Sequence, residues 1–176
     1  MRYRVWFGRT PATVALIGSV CWGSGNPPTR RTVDSLVNDV AIRYVPPLKP
    51  AIQPVDGTIT AIPIIARSGQ PTRFAPPVMH LAGRTISINA CAQWRWEWGD
   101  GQAEWRTVPG AAYPSTQITH GYRSVGTYYI HVHTVWTATY SVSGIGTFPV
   151  SGDILTQDAY LSIPVRQAKT ALIPWE

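Results

Sequence analysis

The sequence predicts an all-β protein, and three observations carry that prediction. Among 176 residues, Gly 15 and Pro 16 supply frequent breaks that a mostly helical chain does not tolerate. Trp 8 and Tyr 8 enrich the chain in rings suited to pleated, half-buried surfaces. From Val55 onward, apolar-alternating runs and turn signals succeed one another roughly every 8–12 residues, the spacing of a sandwich or barrel. Only 14% of residues are charged against a usual share of about 25%, and 44% are hydrophobic, which excludes a disordered tail. No apolar run reaches about 18 residues, so no membrane span is expected in the mature chain.

Taken in order, residues 1–25 read as a leader. Arg2, Arg4 and Arg9 make a positive start, Ala12–Val20 is a short apolar stretch, and Gly23-Ser24-Gly25 offers small residues for cleavage. The competing reading is an extra amino-terminal strand. Gly18-Ser19-Val20 before Cys21 is a poor lipobox, so lipidation is not the expectation. Residues 26–54 form an appendage. Val33, Leu36, Val37 and Val40 recur at i, i+3, i+4 and i+7, predicting a short amphipathic helix over Thr32–Tyr44 with Thr32 as N-cap. Val45–Pro54 (VPPLKPAIQP) leans to polyproline II and predicts a semi-rigid arm. Residues 55–176 are expected to be the β domain.

Its predicted strands are Thr58–Ile65, Arg84–Ala92, Gln93–Trp98, Ala103–Thr107, Gln117–His120, Thr127–Trp136, Thr139–Val142 and Asp158–Val165. Thr127–Trp136 is the clearest. Tyr128, Ile130, Val132, Thr134 and Trp136 share one face, and Tyr129, His131, His133 and Val135 the other. Gly99-Asp100-Gly101 closes the preceding strand, since Asp-Gly readily takes the positive φ angles of tight hairpins. Two cysteines rule out a disulfide framework, and Cys91 reads as a spare thiol facing away from Ile86, Ile88, Ala90 and Ala92.

Three motifs in a fixed order then carry a resemblance. Trp96-Glu97-Trp98-Gly99-Asp100-Gly101, His120-Gly121-Tyr122, and Gly126-Thr127-Tyr128 before an alternating strand are similar to the PKD (polycystic-kidney-disease) domain. That family shows W-D-F-G-D-G, later H-x-Y-x-x-x-G-x-Y. Glu97 stands in place of its Asp and Trp98 in place of its Phe. The likeness covers residues 82–142 well and 55–170 loosely. Asp56-Gly57-Thr58 with Ile62-Pro63, and Trp136–Tyr140, further resemble small secreted or envelope PKD proteins of actinobacteria. The resemblance implies an immunoglobulin-like antiparallel β-sandwich, preceded here by the helix and Pro-rich arm. Trp96 and Trp98 would fill its core without the usual inter-sheet disulfide, and Tyr128 would form a tyrosine corner.

Signatures of chemistry are scarce. No G-x-S-x-G, Walker loop, H-E-x-x-H or C-x-x-C occurs, so no catalytic residues are assigned and no enzyme is expected. Glu97, Asp100 and Glu104 cluster on one hairpin and suggest at most weak calcium binding; no other cofactor is expected. His131 and His133 form an H-x-H lacking a third ligand, so no metal site is assigned. Should Gln93–Trp98 neighbour Thr127–Trp136, then Arg95, Glu97, Trp105, Arg106, Tyr129, His131 and His133 would share an outer face able to bind a partner. The net charge of +6 invites a nucleic-acid reading, but residues 1–50 carry seven Lys/Arg against two Asp, and residues 51–176 eight against seven. The folded part lacks the cationic excess that phosphate tracking needs.

The function these features predict is a non-enzymatic module, secreted or held at the cell envelope, binding protein or polysaccharide through a sheet face or edge. The alternative is a self-assembling subunit of an extracellular structure such as a pilus or surface layer, and a hydrolase ranks third.

Overall fold

The computed structural model describes residues 2–7, 15–21, 30–81, 83–151 and 155–168. In chain order these form β1 (Arg2–Phe7), β2 (Ala15–Cys21), helix α1 (Arg30–Tyr44), β3 (Ala51–Gln53), β4 (Thr58–Ile59), β5 (Ile64–Arg67) and β6 (Arg73–Phe74). There follow β7 (Met79–Leu81), β8 (Arg84–Glu97), β9 (Ala103–Arg106), β10 (Thr119–His120), β11 (Gly126–Val142), β12 (Gly146–Pro149) and β13 (Leu155–Arg166). Among the described residues the protein is all-β apart from α1. Among the described residues no helix is long and apolar enough to cross a membrane.

The chain divides into two compact units, the first of residues 1–46, 71–92 and 135–156, the second of 47–70, 93–134 and 157–176. Residues 55–176, expected as one β domain, contribute to both. The long strands β8, β11 and β13 each supply residues to both units.

In the first unit β1 pairs antiparallel with β2 and with β7, and β7 with β8. The described part of the expected leader is thus paired strand, while Gly23–Gly25, the expected cleavage region, lie outside the described residues. β11 returns through the turn Ser143–Ile145 to pair with β12, Val142 opposite Gly146. The Arg84 guanidinium donates to the Ser143 carbonyl at 2.7 Å and anchors that turn. Helix α1 begins two residues before the predicted start, so Thr32 lies inside the first turn rather than capping it. Val37 and Val40 are buried on its apolar stripe. Val45-Pro46-Pro47 ends it, because a residue before proline is driven out of the α region.

In the second unit the sequence expected Val45–Pro54 to stand free as an arm. Instead Ala51–Gln53 is β3, hydrogen-bonded to β5, with Ile52 buried. Strand β3 lies at an edge of the β10-β5-β3 sheet, where flanking prolines remove no ladder bond. The predicted strand Thr58–Ile65 is broken into β4 and β5, with Ala61 at φ 70° and Pro63 interrupting the ladder. Strands β9 and β11 lie on opposite edges of β8, and β13 and β4 continue beyond β11. Arg84–Ala92 with Gln93–Trp98, and Thr127–Trp136 with Thr139–Val142, are each one continuous strand.

Alternation does the sorting in the second unit. Trp94, Trp96, Ile130, Val132, Thr134, Ile163 and Val165 are buried, as are Ile64 and Ala66 from the smaller sheet and Ile118 just before β10. A polar hub sits among them. The buried Gln70 accepts at Oε1 from Trp94 Nε1 (3.0 Å) and Thr134 Oγ1 (3.1 Å), and its amide nitrogen donates to Gln157. The indole N–H would otherwise be an unsatisfied buried donor.

Candidate functional site

Two groups of residues singled out by the sequence come together in the second unit. The first is the motif cluster. Trp96 and Trp98 stack at 5.2 Å, Trp98 and His120 at 4.5 Å, His120 meets Tyr122 edge-on at 4.8 Å, and Tyr122 stacks on Tyr128 at 4.1 Å. Tyr122 donates its hydroxyl to the Trp98 carbonyl (3.0 Å), and burial raises that phenol above its ordinary range. Tyr128 reaches back four residues to the Ser124 carbonyl at 3.0 Å. His120 Nε2 meets Asp100 Oδ2 at 2.9 Å, locking the β8–β9 loop to β10.

Gly99-Asp100-Gly101 forms the turn between β8 and β9, as expected, with the work divided among its members. The positive φ angles belong to Gly99 (80°) and Gly101 (88°), while Asp100 Oδ1 accepts from the Gln102 N–H at 3.0 Å. At Gly99 a Cβ would lie 2.5 Å from the Tyr129 carbonyl oxygen, so space and conformation both require glycine there. Desolvation opposes the Asp100 charge, yet hydrogen bonds from Gln102 and His120 outweigh it and hold the carboxyl below its ordinary range. This cluster is a packed column of rings: Trp96, Trp98 and Tyr122 are almost wholly buried, and Tyr128 closes it at the surface.

The second group is the outward face of β8, β9, β11 and β13. β8 and β11 are neighbours, which sets Arg95 and Glu97 beside Tyr129, His131 and His133. Arg95 pairs with Glu97 at 2.8 Å, and Glu97 Oε2 accepts from His131 Nδ1 at 3.0 Å. Trp105 on β9 reaches the same face, its ring edge-on to His133 at 6.5 Å. Arg106, expected on this face, lies opposite the inward-facing Trp94 in the β8–β9 register and so projects from the other side of the sheet, where it pairs with Glu104.

The sequence did not bring in β13. Asp158 Oδ1 lies 2.8 Å from both His131 Nε2 and His133 Nδ1, and Tyr160 stacks on His131 at 4.7 Å. The signal was available in form, since Asp158 and Tyr160 alternate outward on a predicted strand, but nothing local names that strand's neighbour. The His131 hydrogen bond holds the Glu97 carboxyl below its ordinary range. Hydrogen bonds from His133 and His131 do the same for Asp158. For His131, burial disfavours the cation, but Glu97 and Asp158 outweigh it and raise its affinity for a proton.

The calcium expectation fails on this geometry. Glu97 is held by Arg95 and His131, Asp100 by Gln102 and His120, and Glu104 by Arg106, so the three carboxylates serve separate partners. Calcium needs six to eight converging oxygens. Cys91 is an exposed free thiol on β8. Compared with protein-family models and with curated proteins, the chain matches none.

Proposed function

We propose that this chain is a non-enzymatic, PKD-like binding module of immunoglobulin-like type, exported to the cell envelope, which engages a partner through the outer face of β8, β9, β11 and β13. One observation supports this most directly. Tyr129 and Tyr160 are each 73% exposed and Trp105 is 54% exposed on a face whose polar groups are already tied to one another. Large exposed rings on a flat sheet cost little conformational entropy to bury, and Trp, Tyr and Arg are the residues that dominate binding energy at protein interfaces. Of protein and polysaccharide, that composition favours a protein partner.

The fold motifs support the PKD-like reading through the ring stack joining Trp98, His120 and Tyr122, which gives all three sequence motifs one structural purpose. The assembly reading has less behind it: Ala51–Gln53, part of the arm that would reach a neighbour, is paired within its own chain.

The test replaces Trp105, Tyr129 and Tyr160 together with Ala and measures retention of the protein on isolated cell envelopes. The wild type should be retained and the triple variant released, with equal melting temperatures. Protease treatment of the envelopes should abolish retention; retention that survives it points to polysaccharide. Equal retention of the triple variant refutes the sheet-face reading.

A further inference from the structure

We infer that His131, His133 and Asp158 form a binding site for a divalent transition-metal ion of the zinc class, with Glu97 as the outer partner that orients His131. The inference concerns the same sheet face as the proposed docking surface but does not rest on that reading.

The backbone places the ligands. His131 and His133 are two residues apart on β11 and therefore project from the same face about 7 Å apart along the strand. Asp158 enters from β13, the adjacent strand. The three residues each offer a ligating atom within 4.8 Å of the others, and Asp158 Oδ1 lies 2.8 Å from both His131 Nε2 and His133 Nδ1. Around a tetrahedral zinc ion with bonds of about 2.0–2.1 Å, ligand atoms stand about 3.3 Å apart. The two edges at Asp158 Oδ1 must open by about half an ångström and the edge between the two imidazole nitrogens must settle to the same spacing, adjustments made by rotating side-chain torsions.

The hydrogen bonds mark a site that favours positive charge. Ionised carboxylates only accept hydrogen bonds. Both ring nitrogens of His131 face carboxylate oxygens, Glu97 Oε2 at 3.0 Å and Asp158 Oδ1 at 2.8 Å. Two carboxylates thus address one ring and favour positive charge there, which a proton on Nε2 supplies and a metal ion can replace. With a metal ion at Nε2, Nδ1–H goes on donating to Glu97. That is the carboxylate–histidine–metal arrangement in which the outer carboxylate fixes ring orientation and raises ligand basicity. Both rings are also held before any ion arrives: Tyr160 stacks on His131 with an interplanar angle of 11°, and Trp105 stands edge-on to His133 at 81°.

Donor chemistry selects the ion. Two imidazole nitrogens with one carboxylate oxygen suit zinc, nickel, copper or cobalt, whereas calcium and magnesium prefer all-oxygen shells. Asp158 is 46% exposed, which gives an ion direct entry from solvent. Three protein ligands leave a fourth position for water or for a group from a partner.

The experiment uses the full chain, stripped with a chelator, then titrated with Zn²⁺ alone by calorimetry and with Co²⁺ followed by visible absorption. One ion per chain and the visible bands of four-coordinate cobalt are expected. Asp158→Asn, which keeps the side-chain shape, and His133→Ala should each weaken Zn²⁺ binding by more than roughly a hundredfold, and Glu97→Gln by roughly ten- to a hundredfold. Variant melting curves confirm folding, and the cobalt spectrum of the wild type stands independently of every variant. Absence of saturable Zn²⁺ binding to the wild type overturns the inference. So does binding that Asp158→Asn and His133→Ala leave unchanged.

Discussion

Replacing Gln70 by Leu tests whether the buried hub stabilises the fold through its polar bonds or merely fills space. Gln70 is 4% exposed, and its Oε1 accepts from Trp94 Nε1 and Thr134 Oγ1, both on fully buried residues. Leucine has nearly the same volume and no acceptor. Each buried donor left unsatisfied costs about 1–3 kcal/mol, so the two together cost about 2–6 kcal/mol. Burying the leucine returns about 1–2 kcal/mol of that. The net loss therefore spans about 0–5 kcal/mol and centres on about 2–3 kcal/mol, read by urea denaturation followed by tryptophan emission. Thr134→Val in the Gln70→Leu background removes one of the orphaned donors and should restore about 1 kcal/mol, whereas in the wild-type background it should destabilise. If Gln70→Leu falls within about 0.5 kcal/mol of wild type and the second substitution rescues nothing, the hub is not a hydrogen-bonding device.

Other outcomes follow from the ring cluster. Tyr128→Phe should cost about 1 kcal/mol with the fold intact, because its bond to Ser124 lies at the surface; Tyr122→Phe should cost about 1–3 kcal/mol, because it strands the buried Trp98 carbonyl. Equal losses by chemical denaturation would contradict that ordering. Gly99→Ala should cost about 2–4 kcal/mol, combining a left-handed backbone with a clash against Tyr129, and an unchanged midpoint would refute the packing argument. Asp100 has a folded pKa below its ordinary 3.8, so the stability it contributes is present above that value and drains away as pH falls through the lowered one. Asp100→Asn should therefore flatten the acid limb of a stability–pH curve, and parallel curves for both proteins would dismiss the ionic role.

Much of this architecture could be read from the chain because the informative patterns were local. The alternation over Thr127–Trp136 sorted its side chains by face: Ile130, Val132, Thr134 and Trp136 are buried and Tyr129 is exposed. The order of the tryptophan, histidine and tyrosine motifs named the residues that now stack. What could not be read depends on pairing between distant segments. Asp158 meets His131 and His133 only because β13 lies beside β11, and no nearby residue states that neighbour. Gln70 sits in a Ser-Gly-Gln-Pro stretch that looks like an exposed turn, and only the approach of Trp94 and Thr134 makes it a core residue. Ala51–Gln53 looked like part of a stalk because prolines bracket it, yet an edge position accommodates prolines at both ends. Among the carboxylates, proximity along the chain suggested convergence, but each went to the cation or N–H nearest to it.

The rings of Trp96, Trp98, His120, Tyr122 and Tyr128 stack or meet edge-on in series, and a hydrogen bond from Tyr122 to the Trp98 carbonyl spans the middle member. A series has ends and a middle, and tolerance to replacement should follow rank. Losing Tyr128 shortens the column by one member, while losing His120 breaks the ring series into two couples joined only by the Tyr122 hydrogen bond to Trp98. A leucine scan along the five positions should trace a valley in thermal midpoint with its floor at His120, the one member whose ring is also tethered by an acid. The least hydrophobic ring of the series would then be the hardest to exchange.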